Sequence, residues 1–124
     1  MAERWWTVEE ANAARDRVAD LVARAQAAAR GITDAGPVAP EQPQGNGHVS
    51  APAERQDLDI ALRDLAEDGV VIKDLAQGLV DFPARAPSGR PYWLCWIVDE
   101  PEVAWWHWPE DGFAGRTPLS EPPE

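Results

Sequence analysis

Apolar residues recur at Val8, Ala11, Ala14, Val18, Leu21, Val22, Ala25 and Ala28, the spacing of one helix face. Thr7-Val8-Glu9-Glu10 stands in front of them as a capping box: Thr7 accepts from the N–H of Glu10, and Glu10 reaches back to the N–H of Thr7. Arg30 falls in the last turn and Gly31 offers a left-handed stop. The pattern predicts a helix over residues 8–30. Its stripe is mostly alanine, which permits close approach of a neighbour but buries little area.

Residues 35–52 break the period. They hold four prolines, three glycines and one charge, the composition of a flexible linker. His48 lies within it as a solvated side chain. The expectation is that a short Gly/Ser connection can replace this linker without loss of the fold, because closure entropy grows slowly with length. A second helix is expected over 53–68, with Leu58, Ala61, Leu62 and Leu65 on one face and Gly69-Val70 as a Schellman stop. It carries six acids against two arginines, the pattern of a solvated face.

From Val70 the period changes to two. Val70-Val71-Ile72, residues 79–82, residues 91–98 and residues 103–108 read as strands, separated by Gly78, Pro83, Ser88-Gly89 and Pro101. Residues 109–124 read as an irregular tail. Helices segregated from strands predict an α+β fold in one domain over 1–124. Its expected form is an antiparallel helical hairpin packed on a three- to four-stranded antiparallel meander.

The C-terminal half also resembles a known family. The run GVVIKD at 69–74, GLVDF at 78–82, LCW at 94–96, Glu100, Trp106-His107 and GFAGR at 112–116 is similar to the bacterial family called domain of unknown function 2203. The opening Trp6-Thr7-Val8-Glu9-Glu10-Ala11-Asn12 resembles that family's start. The likeness covers residues 5–31 and 69–119. Residues 35–52 have no counterpart in it, as a lineage insertion would. The resemblance implies these boundaries and brings no mechanism.

Composition narrows the function. Lysine and arginine total 11, aspartate and glutamate 22, for a net charge of −11. A phosphate-backbone binder needs a basic face, and an anionic membrane repels this charge, so neither nucleic acid nor membrane is an expected partner. No apolar leader follows Met1, and the longest apolar stretch, about Pro91 to Val98, is far below the ~20 residues of a span. Cys95 is the sole cysteine, which forbids an internal disulfide. A cytoplasmic location is the simplest expectation. Ten arginines against one lysine, with many alanines, suit a GC-rich bacterial source.

Five of the seven tryptophans lie between Trp93 and Trp108. Alternation puts Trp93, Cys95 and Ile97 on one side of a strand and Tyr92, Leu94, Trp96 and Val98 on the other. Both faces are therefore apolar. Two helices cover one face, so the expectation is an aromatic face left for a second copy or a protein partner. Stacking of single-stranded RNA on that face is disfavoured, because residues 70–108 hold three basic and five acidic residues.

The polar residues set in these strands are the other candidates. Lys73, Asp81, Glu100, His107 and Arg116 form either internal ion pairs, Lys73 with Asp81 and Arg116 with Glu100, or a cleft where His107 works with a carboxylate. Cys95 reads as a core cysteine rather than a nucleophile. A metal site from Cys95, His107 and Asp81 requires an odd-length loop between the last two strands; the expectation is no metal and no cofactor. Gly112-Phe113-Ala114-Gly115-Arg116 reads as a turn holding Phe113 against the sheet, since it lacks the Gly-Lys-Ser/Thr ending of a phosphate loop. The reading favoured by the sequence is a non-enzymatic interaction module, with Trp96 and Trp106 in its aromatic face. The alternative is a small-ligand or weakly enzymatic pocket on Asp81, Glu100 and His107, with Lys73 and Arg116 beside it.

Overall fold

The computed structural model describes residues 4–35 and 50–124. Three helices precede a five-stranded antiparallel sheet: α1 Val8–Ala13, α2 Arg15–Ala35, α3 Ser50–Glu67, β1 Val71–Asp74, β2 Leu79–Arg85, β3 Pro91–Ile97, β4 Trp105–His107 and β5 Thr117–Pro118. The strands lie in chain order, so the fold is α+β with a simple meander.

The helix starts and stops follow local chemistry. Both bonds of the Thr7–Glu10 capping box are made, each 3.0 Å long. The single helix expected over 8–30 is instead two, parted at Ala14. Beside it, the Asn12 amide donates back to the Val8 carbonyl, and the Asn12 carbonyl accepts from Arg15 Nε at 3.0 Å. The helical bonds from the Ala14 N–H to Glu10 and from the Val18 N–H to Ala14 are kept across this point. Asn12 Oδ1 also accepts from the N–H of Val103 at 2.8 Å, tying the helix junction to the β3–β4 loop.

Gly31 does not stop α2, which runs on to Ala35. The Glu54 side chain of α3 reaches over Gly31, with Oε2 1.7 Å from where a Cβ would stand. Arg17 pairs with Asp68 at the opposite ends of the same two helices. The expected linker, 35–52, is helical at Ala35 and from Ser50 onward, and residues 36–49 lie outside the described residues, as does His48. The chain link of the expected helical hairpin therefore lies there too. At the end of α3 the Val70 N–H bonds the Leu65 carbonyl at 2.9 Å and the Gly69 N–H bonds Ala66 at 3.0 Å. These are the two bonds of a Schellman motif, with Gly69 at φ 84°.

The sheet has five strands, not the three or four expected. The extra one is Thr117–Pro118, in the segment read as irregular tail, and it pairs with Trp105 and Trp106. Two residues, one of them proline, are too short a run to show a period. β2 likewise continues through Pro83 to Arg85. Pro83 is tolerated because its carbonyl side faces outward beyond the end of β1, where it accepts from the Trp6 N–H at 2.7 Å.

Register divides the sheet into two faces. Val80, Phe82, Ala84, Tyr92, Leu94, Trp96 and Trp106 share one, and they form a single apolar cluster with Val18, Leu21 and Val22 of α2 and Leu65 of α3. Trp6 closes its edge, 5.0 Å from Phe82 ring to ring, with its indole N–H on the Gly69 carbonyl. The opposite face carries Asp81, Trp93, Cys95, Trp105 and His107. This second face is not left bare. A 3-10 turn at Phe113–Gly115 folds back toward it, and among the described residues the large hydrophobic side chains that stand exposed are Val71 and Phe113.

Candidate functional site

The site is set by strand register. Asp81 of β2 stands opposite Cys95 of β3, Cys95 opposite Trp105 of β4, and His107 opposite Trp93. Seven residues, 98–104, join β3 to β4. The odd count puts Cys95 and His107 on the same face. Asp81, Cys95 and His107 are 1%, 0% and 4% exposed, and their donor atoms all lie within 4.8 Å of one another.

His107 makes two bonds. Its Nδ1 lies 2.8 Å from the Trp108 carbonyl and its Nε2 lies 2.9 Å from Asp81 Oδ2. A carbonyl only accepts, so Nδ1 carries a hydrogen. Nε2 then faces a carboxyl oxygen, and one shared proton must sit between them. The other oxygen, Asp81 Oδ1, is buried with no hydrogen-bond partner among the described residues. Burial, followed by the nearby Asp81 charge, pushes the Cys95 thiol up to about 12. It is a neutral thiol, not an activated nucleophile.

Lys73 closes one side. Its Nζ is 4.0 Å from Asp81 Oδ2 and 4.8 Å from the centre of the Trp93 ring. Its side chain is 42% exposed, so the ammonium is partly solvated. Beneath the turn, Lys73, Asp81, Cys95, His107, Gly112 and Phe113 line a cavity of about 110 Å³. Gly112, at φ 66°, gives the sharp entry to that turn.

A second polar group anchors the turn. Arg116 forks onto Glu100 with bonds of 2.8 and 3.1 Å, and Glu100 Oε1 also accepts from the Ile97 N–H at 2.9 Å. The guanidinium packs over Trp105 and Phe113, 5.0 and 4.9 Å from their ring centres. Burial alone would raise the Glu100 carboxyl, but the Arg116 and Ile97 bonds outweigh it and hold it below its ordinary value. Farther along, Arg90 pairs with Glu110 and stacks on Trp108.

The candidates from the sequence thus separate into three groups. Lys73, Asp81 and His107 meet around the cavity. Glu100 and Arg116 form their own ion pair beside it, so Glu100 does not line the cavity with His107. Trp96 and Trp106 are buried on the helix-facing side, donating to the carbonyls of Glu100 and Glu121, and present no surface to a partner. Cys95 belongs with the first group rather than to the apolar core, and the loop parity was the signal that places it there. Asn12, which ties the loop to the helices, has no signal in the sequence pattern.

A larger cavity of about 410 Å³ opens between α2 and α3, by Arg24, Ala28, Glu54 and Ile60. Its charged lining is Arg24, Glu54 and Asp57, and Glu54 Oε1 is likewise buried with no hydrogen-bond partner among the described residues. No helix among the described residues is long and apolar enough to cross a membrane. A family model described as "Uncharacterized conserved protein (DUF2203)" matches residues 4–119. No curated protein and no solved structure matches the chain.

Proposed function

The chain belongs to the DUF2203 family of uncharacterized conserved proteins, and we propose that it is a small binding module whose site is the Asp81–Cys95–His107 cavity beneath the 3-10 turn. The carrying observation is the Asp81 carboxylate, 1% exposed with one oxygen unpartnered, at the wall of a polar cavity. A buried ion pair that served packing alone could be replaced as a whole by apolar residues with little loss. An orphaned buried acceptor calls for an explanation, and an occupant of the cavity supplies one.

Size limits that occupant. The cavity of about 110 Å³ is below the ~300 Å³ of ordinary ligand pockets. It suits an ion or a molecule of a few heavy atoms, at about 30 Å³ per water-sized group. Binding is favoured over catalysis because the thiol is neutral and Nε2 is engaged by Asp81. The test follows the His107 ring and the Trp93 and Trp105 indoles by NMR during titration with formate, inorganic phosphate, ammonium and zinc chloride. Saturable shifts of these signals with at least one probe support the reading. Signals that stay fixed with all four contradict it.

A second reading keeps the interaction module. Val71 at 38% and Phe113 at 45% exposed stand on the same side of the sheet as this cavity. Self-association through them predicts a dimer in light scattering that Phe113→Ser converts to a monomer. A wild-type monomer at high concentration removes this reading.

A further inference from the structure

We infer that the Asp81–Cys95–His107 cluster is a mononuclear site for a thiophilic divalent transition-metal ion of the zinc class. The inference rests on the cavity being a binding site and names what it binds. Three donor types converge there: a carboxylate oxygen, a thiol sulfur and an imidazole nitrogen, all buried and all within 4.8 Å of one another. Imidazole and thiolate select zinc-class ions over magnesium or calcium, which take oxygen donors.

Two further observations point to an ion rather than to a chance cluster. The first is the orientation of His107. Its Nδ1 bonds the Trp108 carbonyl, which fixes a hydrogen on that nitrogen, and Nε2, sharing its proton with Asp81 Oδ2, is aimed at the cluster. Metal-ligating histidines are held by this arrangement: one ring N–H on a carbonyl, the other nitrogen toward the metal. The second is the unpartnered Asp81 Oδ1, on a side chain 1% exposed. A cation at the cluster compensates that carboxylate.

The geometry needs a modest contraction. Tetrahedral zinc, with bonds of about 2.0 Å to nitrogen and oxygen and 2.3 Å to sulfur, holds its ligand atoms roughly 3.3–3.8 Å apart. Nε2 and Oδ2 are already 2.9 Å apart and must part slightly, while Sγ moves inward. The ion takes the place of the proton shared by Nε2 and Oδ2. That proton and the Cys95 thiol proton both leave to solvent, and no electron is transferred. Cys95 and Asp81 then supply two negative charges to match the ion. The Lys73 ammonium, 4.0 Å from Oδ2, opposes the ion, but its side chain is 42% exposed and turns out to water. The fourth ligand position faces the cavity under Phe113, which makes the site three-protein-ligand and open.

The test uses the whole chain, stripped of metal by a chelator and then dialysed free of it. Zinc chloride is titrated in by calorimetry, with magnesium chloride as comparator. Cobalt(II) is then added to the wild-type protein, where a thiolate-to-metal band and strong visible absorption report tetrahedral coordination with sulfur. The expected result is one zinc per chain, no magnesium uptake, the cobalt–thiolate band, and at least a tenfold loss of zinc affinity in Cys95→Ala. The cobalt spectrum needs no variant, so a poorly folded Cys95→Ala leaves the test intact. Zinc uptake without a thiolate band and unaffected by Cys95→Ala overturns the inference, as binding to surface carboxylates. No zinc uptake, with His107 signals moved by formate or phosphate, overturns the metal but keeps the binding cavity. No response to any probe overturns both.

Discussion

His107 Nε2 lies 2.9 Å from Asp81 Oδ2, and both residues are nearly free of solvent contact. The two come from β4 and β2, separated by β3, so the bond reaches across a strand and over the Cys95 side chain. Removing one partner leaves the other buried and unpaired, at a cost of about 3 kcal/mol or more. Asp81→Ala is therefore expected to lower unfolding free energy by about that amount. The double variant Asp81→Ala/His107→Phe is expected to lose less than the sum of the singles, with a coupling above about 1 kcal/mol in urea titrations. Additive losses would show that the pair does not act as a unit.

The Cys95 thiol is expected to be inert in the folded, metal-free protein. Burial holds it at about 12, and only a thiolate reacts with a disulfide reagent. A chromogenic disulfide added at pH 8 is expected to react at the rate of unfolding, and to react at once in denaturant. Immediate labelling of the native chain would contradict a buried neutral thiol.

Glu100 predicts an acid-side loss. Its carboxyl is held below its ordinary value of 4.5 in the folded chain, so near that pH the unfolded state binds more protons. The stabilisation from the Arg116 fork is fully present above about pH 4.5 and is lost as pH falls through the lower folded value. Glu100→Gln is expected to flatten this part of the stability profile below about pH 4.5. A wild-type slope retained in the variant would assign the acid sensitivity to other carboxylates.

Asn12→Ala removes the acceptor of the Val103 N–H and the amide bond to the Val8 carbonyl. A lost bond to a buried backbone group costs about 1–3 kcal/mol. A fall in thermal midpoint of roughly 5–15 °C is expected for a chain of this size. A shift below about 2 °C would mean that the β3–β4 loop is held instead by the Arg15 guanidinium, which donates to the Pro101 carbonyl.

Local chemistry was legible in the sequence. The Thr7–Glu10 box, the Gly69–Val70 stop and the alternating strands 79–82 and 91–98 depend on neighbours along the chain, and their residue types declare them. The ion pairs Lys73–Asp81 and Arg116–Glu100 were legible for the same physical reason, since charges in apolar strands need partners. The break at Ala14, the passage of α2 through Gly31 and the strand Thr117–Pro118 were not. The strand Thr117–Pro118 exists only through its distant partners Trp105 and Trp106. For the site, the deciding quantity was the parity of one loop. With seven residues between β3 and β4, His107 joins Asp81 and Cys95; with six or eight His107 would face the helices.

The account depends on which nitrogen of His107 carries the fixed hydrogen, and long-range ¹H–¹⁵N NMR of the imidazole reads this directly. The predicted spectrum in metal-free protein has a slowly exchanging hydrogen on Nδ1, bonded to the Trp108 carbonyl. On zinc addition Nδ1 keeps that hydrogen while the Nε2 resonance moves. A ring with hydrogen on Nε2 and a bare Nδ1 would contradict the account, because Nε2 would then donate to Asp81 and hold no lone pair toward the cluster.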